Sequence, residues 1–243
     1  MNSSTLIKSF TWEVLNRTVL KFKKARKYPF SNKYEVLNVG CGLDNPPNSL
    51  GLDGGVYVLY KYLPRFVLKN IYKRTNNSDN YSLETLMNKI KRSHIIHHDL
   101  NYGLPFYDGS VPYIFTSHFL EHLYYEDAEK FLKESYRVLT PGGAIRICIP
   151  SLDEAVAEIR KAIQDYDKGE VVTVQRYVTV KDNAYKDPFF SHKHMYNFKE
   201  VSRILSGVGF TNIIESSFNG SHIPNFKGLD TRHGLMVEAS KSL

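Results

Sequence analysis

The feature of this sequence that most limits its fold is a buried strand that ends in a glycine turn. Residues 36–42 read VLNVGCG, an apolar run followed by Gly40, Cys41 and Gly42. Short apolar runs of this kind are typical of strands buried on both faces of a parallel sheet. Glycines at the carboxyl end of such a strand allow a sharp turn and a close approach of the backbone to a ligand. The segment therefore predicts an open α/β sheet with a binding site at its strand ends.

Strands and helices alternate along the rest of the chain. Apolar strands are predicted in LGLD, HIIHHDL, VPYIFTSH and AIRICIP, and later in TNIIESSF and GLMVEAS. Helical periodicity is found between them in EDAEKFLKESYRVL, SLDEAVAEIRKAI and NFKEVSRILSGVGF. This alternation predicts a Rossmann-like, doubly wound α/β fold with a mostly parallel, seven-stranded sheet.

Two segments stand apart from this alternation. Residues 1–34 predict a basic amphipathic N-terminal helix, because apolar residues recur there at helical spacing: Trp12, Leu15, Val19 and Phe22. Residues 56–93 predict a helical insertion after the second strand. The expected organisation is an N-terminal arm over 1–34 and one domain over 35–243 that contains the insertion.

The net charge of +7 is concentrated in these two segments. Residues 1–34 hold eight basic residues and one acidic residue, and residues 56–93 hold eight basic and two acidic residues. Such segments favour an anionic partner, which is a phosphorylated small molecule, a nucleic acid or, through peripheral contact, a membrane surface. A solvated helix face beside a surface loop has the same composition, so charge alone does not choose between these interpretations.

Composition excludes several other classes. No apolar run reaches the roughly 18 residues that a transmembrane helix needs, and the first residues do not match a signal peptide. The expected location is therefore the cytoplasm. The two cysteines, Cys41 and Cys148, lie in apolar strand-like settings, which favours reduced core thiols over a disulfide. No metal site built on cysteines is expected.

Polar residues follow several predicted strands at the point where each strand ends. Asp53 ends the second strand, where a carboxylate can accept both hydroxyls of a ribose, and Asp99 ends the third, where it can bind an adenine amino group. Leu100 and Ser117 add backbone groups after the third and fourth strands. Together with the glycine turn, these positions predict a site for an adenosine-bearing cofactor across the strand ends.

In their order and spacing, these segments resemble class I S-adenosylmethionine-dependent methyltransferases. The matching segments are VLNVGCG, Asp53, DLNYGLPFYDGS, PYIFTSHFLEHL and FLKESYRVLTPGGAIRICIP, and the resemblance covers residues 35–55 and 94–240. It implies a Rossmann-like fold, methyl transfer and S-adenosylmethionine as the cofactor. The residues that it implies for cofactor binding are Asn38, Gly40, Cys41, Gly42, Asp53, Asp99, Leu100 and Ser117.

The sequence departs from the family pattern in two places. Gly42 and Asp53 are only eleven positions apart, and LDNPPNSL between them cannot form the usual crossover helix. The second strand is therefore expected after an unusually tight loop. This shortening resembles a subgroup of predicted methyltransferases associated with glycan and surface-polysaccharide biosynthesis. Asn38 stands where many relatives have Asp, although an amide oxygen can also accept a hydrogen bond.

The segment SHFLEHL carries a competing signal. His118, Glu121 and His122 match the pattern H-x-x-E-H, in which a helix offers two imidazoles to zinc and a carboxylate to a water molecule. The segment directly follows the apolar strand PYIFTS, so His118 is expected at a strand-to-loop junction, where Glu121 and His122 fix the loop. No metal is expected on this interpretation, and a zinc hydrolase is the competing hypothesis from another class of enzyme.

Methyl transfer to a hydroxyl benefits from a general base, and histidine is suited to this role by its pKa of about 6.5. His118 is the first candidate and His194, in SHKHMYNF, is the second, while a role in shaping a loop or a surface position would explain either histidine without catalysis. The resemblance favours O-methylation of a sugar, a glycan precursor or another small metabolite, including a phosphorylated one. A nucleic-acid methyltransferase and a non-catalytic cofactor-binding module are also compatible with the sequence.

Overall fold

A computed structural model of the chain describes residues 14–46, 48–73, 82–92, 94–168, 192–221, 223, 229–230 and 232–243. Parts of the predicted N-terminal arm and of the predicted insertion, and residues 169–191, therefore lie outside the described residues. The chain forms two compact units. The first comprises Met1–Phe115 with Val138–Thr140, and the second comprises Thr116–Arg137 with Pro141–Leu243.

Seven strands form one sheet. In chain order they are β1 (Val36–Val39), β2 (Ser49–Asp53), β3 (Ile95–His97), β4 (Val111–Ser117), β5 (Leu139–Ile149), β6 (Thr211–Ser216) and β7 (Leu235–Ser240). Their order across the sheet is β3-β2-β1-β4-β5-β7-β6. β2 is parallel to both β1 and β3, whereas β7 is antiparallel to both β5 and β6. The predicted seven-stranded, Rossmann-like α/β fold is confirmed, and the sheet is mixed rather than purely parallel.

The connection from β1 to β2 is the tight loop that the sequence predicts. The two strands pair in parallel register, so only residues 40–48 join them. Asn45 holds this loop: its Nδ2 donates to the carbonyl oxygens of Ser49 at 3.0 Å and His94 at 3.3 Å, and its Oδ1 accepts from the Ser49 hydroxyl at 2.8 Å. These bonds tie the loop to the first residue of β2 and to the residue before β3.

The first unit carries its helices before β1 and after β2. Residues 14–23 are helical and form α1 within the described part of the arm. After β2 come a 3-10 segment (Val56–Tyr62), α2 (Arg65–Tyr72) and α3 (Leu83–Arg92). These last three elements pack on a small apolar cluster formed by Tyr60, Leu68, Leu86 and Ile90. The segment after β2 thus has an apolar core of its own, which is what allows it to fold beside the sheet.

The remaining helices are α4 (Tyr125–Val138), α5 (Leu152–Asp167) and α6 (Phe198–Val208). Ser151 caps α5, since its hydroxyl accepts from the N–H of Glu154 at 3.2 Å. Gly209 ends α6 in the left-handed conformation. The Pro-Gly-Gly run at 141–143, a sequence typical of a helix stop, lies inside β5. Among the described helices, none is both long and apolar enough to cross a membrane.

Candidate functional site

The glycine turn after β1 presents open space in front of its backbone. Gly40 and Gly42 have φ angles of 68° and 56°, and residues other than glycine rarely adopt such positive φ angles. The N–H of Gly40 donates to the carbonyl of Leu52 at 2.9 Å, which fixes the turn against β2. A Cβ atom placed on Gly42 would meet no atom of the described residues within 4 Å. The turn therefore forms a cradle that a ligand can approach.

Asp53 is the acceptor around which this cradle is organised. Its carboxylate accepts from the N–H of Gly42 at 3.0 Å and from the N–H of Gly55 at 2.7 Å. The Tyr57 hydroxyl also bonds it, and burial together with this carboxylate raises the pKa of Tyr57 far above its usual value. Because a carboxylate offers about four acceptor positions, Asp53 keeps room for about one further donor, such as a ribose hydroxyl.

Asp99 lies at the end of the neighbouring strand. The N–H of His98 donates to the backbone carbonyl of Asp53 at 3.1 Å, which brings the ends of β2 and β3 together. The Asp99 side chain accepts from the N–H of Asn101 at 3.0 Å and caps the short 3-10 turn Leu100–Tyr102. The first unit thus assembles the predicted residues Asp53, Asp99 and Leu100 at adjacent strand ends.

Asn38 and Cys41 support the cradle. Asn38 is buried, and its Nδ2 donates to the backbone oxygen of Asp44 at 3.2 Å and to Oδ1 of Asn45 at 3.3 Å, within the tight loop. Burial, and next the charge of Asp53, raise the pKa of the Cys41 thiol well above its usual value. The thiol therefore stays protonated at neutral pH. Both side chains hold the loop in shape from within the first unit.

The first unit fits the adenosine part of S-adenosylmethionine. The Gly42 cradle is open at the Cβ position, and the carboxylate of Asp53 has spare acceptor capacity beside it. Asp99 offers a partly exposed carboxylate at the next strand end. These are an open backbone approach and hydrogen-bond acceptors, which is what a ribose and an adenine amino group require.

In the second unit, His118 is held in a strained backbone conformation directly after β4. Its φ angle is 50°, and its N–H donates to the carbonyl of Cys148 at 2.8 Å. Its Nδ1 lies 3.3 Å from Oε1 of Glu121. Its Nε2 is buried and forms no hydrogen bond with any described residue. Non-glycine residues in this region of φ cluster at functional sites, so the geometry singles out His118.

Glu121 lies at the centre of a group of histidines. Its side chain is 1% exposed, and Oε1 lies 3.9 Å from Nε2 of both His122 and His192. The rings of His122 and His192 meet edge to face with centroids 5.1 Å apart. Burial lowers the pKa of His192, which favours its neutral form. The pattern H-x-x-E-H lies on a 3-10 turn, Leu120–His122, and the continuous helix of a zinc hydrolase is absent from this described segment.

His194, the second candidate base, is engaged with its neighbours. Its Nε2 bonds Oε1 of Glu200 at 2.9 Å, and its ring packs on Tyr196 with centroids 4.5 Å apart and on Tyr125 at 5.7 Å. Tyr196 is fully buried, and this burial raises the pKa of its hydroxyl. The structure therefore brings His194 into a carboxylate and aromatic cluster of the second unit.

Two features of the site are missing from the sequence-based prediction. Tyr57 lies in the segment assigned to an insertion, although it follows Asp53 by only four residues and bonds it. His192 precedes the candidate base His194 by two residues in SHKHMYNF, yet it lies beside Glu121. Spacing along the chain predicts neither contact, because both depend on where the side chains lie in three dimensions.

A family model described as a methyltransferase domain matches residues 37–147. The match includes the glycine turn, Asp53, Asp99, His118 and Glu121. Over these residues the chain matches an enzyme domain, a methyltransferase domain, whose cofactor is S-adenosylmethionine. The sequence has no match among curated proteins.

Several solved structures are similar to this chain. An S-adenosylmethionine-dependent methyltransferase from Archaeoglobus fulgidus is 15% identical, with 95% of this chain and 94% of that chain covered and a TM-score of 0.47. One from Methanosarcina mazei is 16% identical, with 90% and 99% covered and a TM-score of 0.48. Phosphoethanolamine N-methyltransferase 2 from Haemonchus contortus, solved with S-adenosyl-L-methionine, is 14% identical, with 94% and 53% covered and a TM-score of 0.47.

Proposed function

We propose that this protein is an O-methyltransferase that acts on a hydroxyl group of a sugar, a glycan precursor or another small metabolite. S-adenosylmethionine supplies the methyl group. We assign its adenosine part to the first unit, through the backbone of Gly40 and Gly42 and the carboxylates of Asp53 and Asp99. The observation that supports this assignment is Asp53, which two loop amides hold in place at the end of β2.

A hydroxyl acceptor is supported by the pair formed by His118 and Glu121. A hydroxyl is a weak nucleophile at neutral pH and gains from a positioned base, whereas an amine acceptor needs mainly orientation. Nδ1 of His118 faces the buried Glu121 carboxylate at 3.3 Å, which leaves Nε2 to take a proton. A base oriented by a third group is the arrangement used for activating oxygen nucleophiles.

The proposed step is a balanced displacement at the methyl carbon. The acceptor oxygen forms a bond to the methyl carbon, and the carbon–sulfur bond breaks with its electron pair on sulfur. The hydroxyl proton passes to Nε2 of His118. The products are a methyl ether, S-adenosylhomocysteine and a protonated histidine that solvent later deprotonates.

An anionic group on the acceptor is supported by positive charge in the first unit. Burial lowers the pKa of Lys23, and the nearby charges of Arg26 and Lys61 lower it further. Three cationic groups thus lie close enough to interact, and such a cluster attracts phosphate. A phosphorylated or nucleotide-linked sugar is the acceptor class that combines this charge with a hydroxyl.

Methyl transfer from labelled S-adenosylmethionine to separate pools of sugars, sugar phosphates, amines and RNA tests this proposal. We expect label in a hydroxyl-bearing pool as a methyl ether that survives mild acid and base. Label in the amine pool alone would contradict the O-methyltransferase assignment. Cofactor binding without transfer to any pool would instead favour the non-catalytic module.

Nucleic acid is the second candidate acceptor, because eight basic residues lie in each of two segments. Binding through phosphates weakens steeply as salt rises, by roughly one power of salt concentration for each contact. RNA affinity that falls in this way, together with label in the RNA pool, would replace the small-molecule proposal. Absent or salt-independent RNA binding would remove this candidate.

A further inference from the structure

The side chain of Glu121 is a buried carboxylate in an unusual state. It is 1% exposed, and neither of its oxygens accepts a hydrogen bond from any described residue. Buried polar groups are almost always bonded, and a buried charge without a partner is costly. Both carboxylate oxygens of Glu121 therefore have acceptor capacity left for a ligand.

Imidazole nitrogens surround this carboxylate. Nε2 of His122 and Nε2 of His192 each lie 3.9 Å from Oε1, and the ligand atoms of these three residues all lie within 4.8 Å of one another. Zinc ligands at about 2.0–2.2 Å from a tetrahedral ion are about 3.4 Å apart. The three groups therefore need to move by only about 1 Å to bind one ion.

The backbone already fixes the segments that carry these groups. The carbonyl oxygen of Glu121 accepts from the N–H of Lys193 at 2.7 Å and from the N–H of His194 at 3.2 Å. The turn that holds Glu121 and His122 is thereby tied to the segment that holds His192. The side chains of His122 and His192 are 21% and 22% exposed, so an ion that enters from solvent can reach both rings.

We propose that Glu121, His122 and His192 form a binding site for a divalent transition-metal ion of the zinc type. Two imidazoles and one carboxylate suit zinc and its first-row neighbours, whereas magnesium and calcium prefer oxygen ligands alone. The sequence pattern H-x-x-E-H alone pointed to a helix with His118 as a ligand. The structure assigns a different set, in which His192 replaces His118 and the 3-10 turn replaces the helix.

A role in catalysis follows only if the proposed function holds. An ion at Glu121 would lie beside His118, whose Nδ1 contacts the same carboxylate oxygen at 3.3 Å. As a Lewis acid it would stabilise the alkoxide character of an acceptor hydroxyl while His118 removes the proton. Metal binding itself does not depend on the acceptor, so the two proposals can fail separately.

Metal content measures this proposal directly. The purified protein is stripped of metal with a chelator, reloaded with zinc chloride and dialysed, and its zinc content is measured by mass spectrometry. We expect about one zinc per chain in the parent, and at least about tenfold weaker zinc affinity in Glu121→Gln and in His192→Ala. His194→Gln is the matched control, because it removes a histidine of the same segment whose Nε2 bonds Glu200 rather than Glu121.

Cobalt(II) absorption provides a second measurement of metal binding at the same site. Cobalt(II) bound by imidazole and carboxylate ligands gives visible absorption bands, which we expect in the parent and in His194→Gln but not in His192→Ala. No retained zinc in the parent, or equal zinc in the parent and in His192→Ala, would overturn the proposal. Because His192 is partly exposed, its variant keeps the test valid even if Glu121→Gln unfolds.

Binding of S-adenosylhomocysteine separates this proposal from the proposed function. We expect calorimetry to give the same affinity in the parent and in His192→Ala, since the adenosine contacts are assigned to the first unit. If the parent protein binds zinc but not S-adenosylhomocysteine, the result supports the metal-site proposal and contradicts the methyltransferase proposal. The reverse result would defeat the metal site alone.

Discussion

At the scale of single residues, the space in front of Gly42 is the most specific sign of a ligand. Replacing Gly42 with Ala puts a methyl group into that open space and forces a side chain into φ of 56°. The strain costs about 1 kcal/mol of stability, and we expect a further loss of S-adenosylhomocysteine affinity of at least about tenfold. Calorimetry of the variant against the parent measures this loss.

Gly109→Ala is the matched control for this change. Gly109 has φ of 60° and equally open surroundings, but it lies in the turn before β4 and outside the proposed site. The two variants should lose similar stability in urea, while only Gly42→Ala loses cofactor affinity. Equal affinity in both variants would show that the Gly42 turn is not a cofactor contact.

His118 is the residue on which the chemistry of the proposed transfer depends. We expect His118→Asn to reduce kcat by about 10²- to 10⁴-fold, because a positioned base contributes that much. His194→Asn should reduce kcat less, since Nε2 of His194 bonds Glu200. Turnover of both variants with saturating acceptor measures this difference, and the reverse order would make His194 the base.

At the scale of elements, the contact between α1 and β3 is predicted to make stability depend on pH. His97 is buried, with Nε2 2.8 Å from Oδ1 of Asn16 and Nδ1 3.3 Å from the Lys23 ammonium. Burial and the charge of Lys23 lower the pKa of His97 to about 4. Between about pH 6.5 and pH 4 the unfolded chain therefore binds the proton more readily, so stability falls as pH falls.

Urea unfolding across that pH range tests this coupling. The linkage amounts to at most about 3 kcal/mol, and we expect His97→Gln to lose most of it. His94→Gln controls for loss of a histidine at an exposed position. A pH dependence that is the same in His97→Gln and in the parent would contradict the assignment of this pH dependence to His97.

In the second unit, a buried ionic cluster joins β5, β7 and the segment between β6 and β7. Arg146 is fully buried, and its guanidinium bonds Asp230 at 3.0 Å and Glu238 at 2.6 Å. Removing one partner of a buried pair leaves an uncompensated charge. We expect Asp230→Asn to lower the free energy of unfolding by about 3 kcal/mol.

Asp127→Asn is the control for this cluster, because Asp127 pairs with exposed Lys130 at 2.8 Å. A surface pair is worth about 0–1 kcal/mol, so this variant should unfold at nearly the parent urea concentration. If Asp230→Asn and Asp127→Asn lowered the free energy of unfolding by the same small amount, the buried cluster would contribute no more to stability than a surface ion pair.

The sequence predicts the strands and helices that have a clear apolar pattern or a turn sequence, but it does not predict the direction of a strand in the sheet. The apolar runs and glycine turn give β1, and the tight loop to β2 follows from the eleven positions between Gly42 and Asp53. The apolar pattern of β7 is the same for either direction, so its antiparallel pairing could not be derived. The Pro-Gly-Gly run at 141–143 resembles a helix stop, yet pairing across the sheet places it in β5.

At the scale of the whole molecule, the candidate site was predictable to the extent that it follows strand ends. Asp53 and Asp99 lie at adjacent ends as expected for a parallel pair, and His118 lies directly after β4. Contacts between segments distant in sequence were not predictable. His192 lies about 70 residues from Glu121 along the chain, and backbone bonds from Lys193 and His194 to the Glu121 carbonyl tie the two segments together.

Cofactor binding in the first unit is the claim on which the proposed site depends. Calorimetry with S-adenosylhomocysteine on the parent, on Asp53→Asn and on Asp44→Asn tests it most directly. Asp44 is the control because it is a carboxylate of the same loop that pairs with Lys89 outside the cradle. Asp53→Asn keeps the size of the side chain but removes its charge and one of the two oxygens that accept from the Gly42 and Gly55 amides.

The predicted result is one S-adenosylhomocysteine bound per chain in the parent and in Asp44→Asn, with affinity at least about tenfold weaker in Asp53→Asn, since a hydrogen bond to a charged group contributes about 1.5–3 kcal/mol. Unchanged affinity in Asp53→Asn would contradict the assignment of the ribose to Asp53. Absence of binding to the parent would contradict the account of the cofactor site altogether.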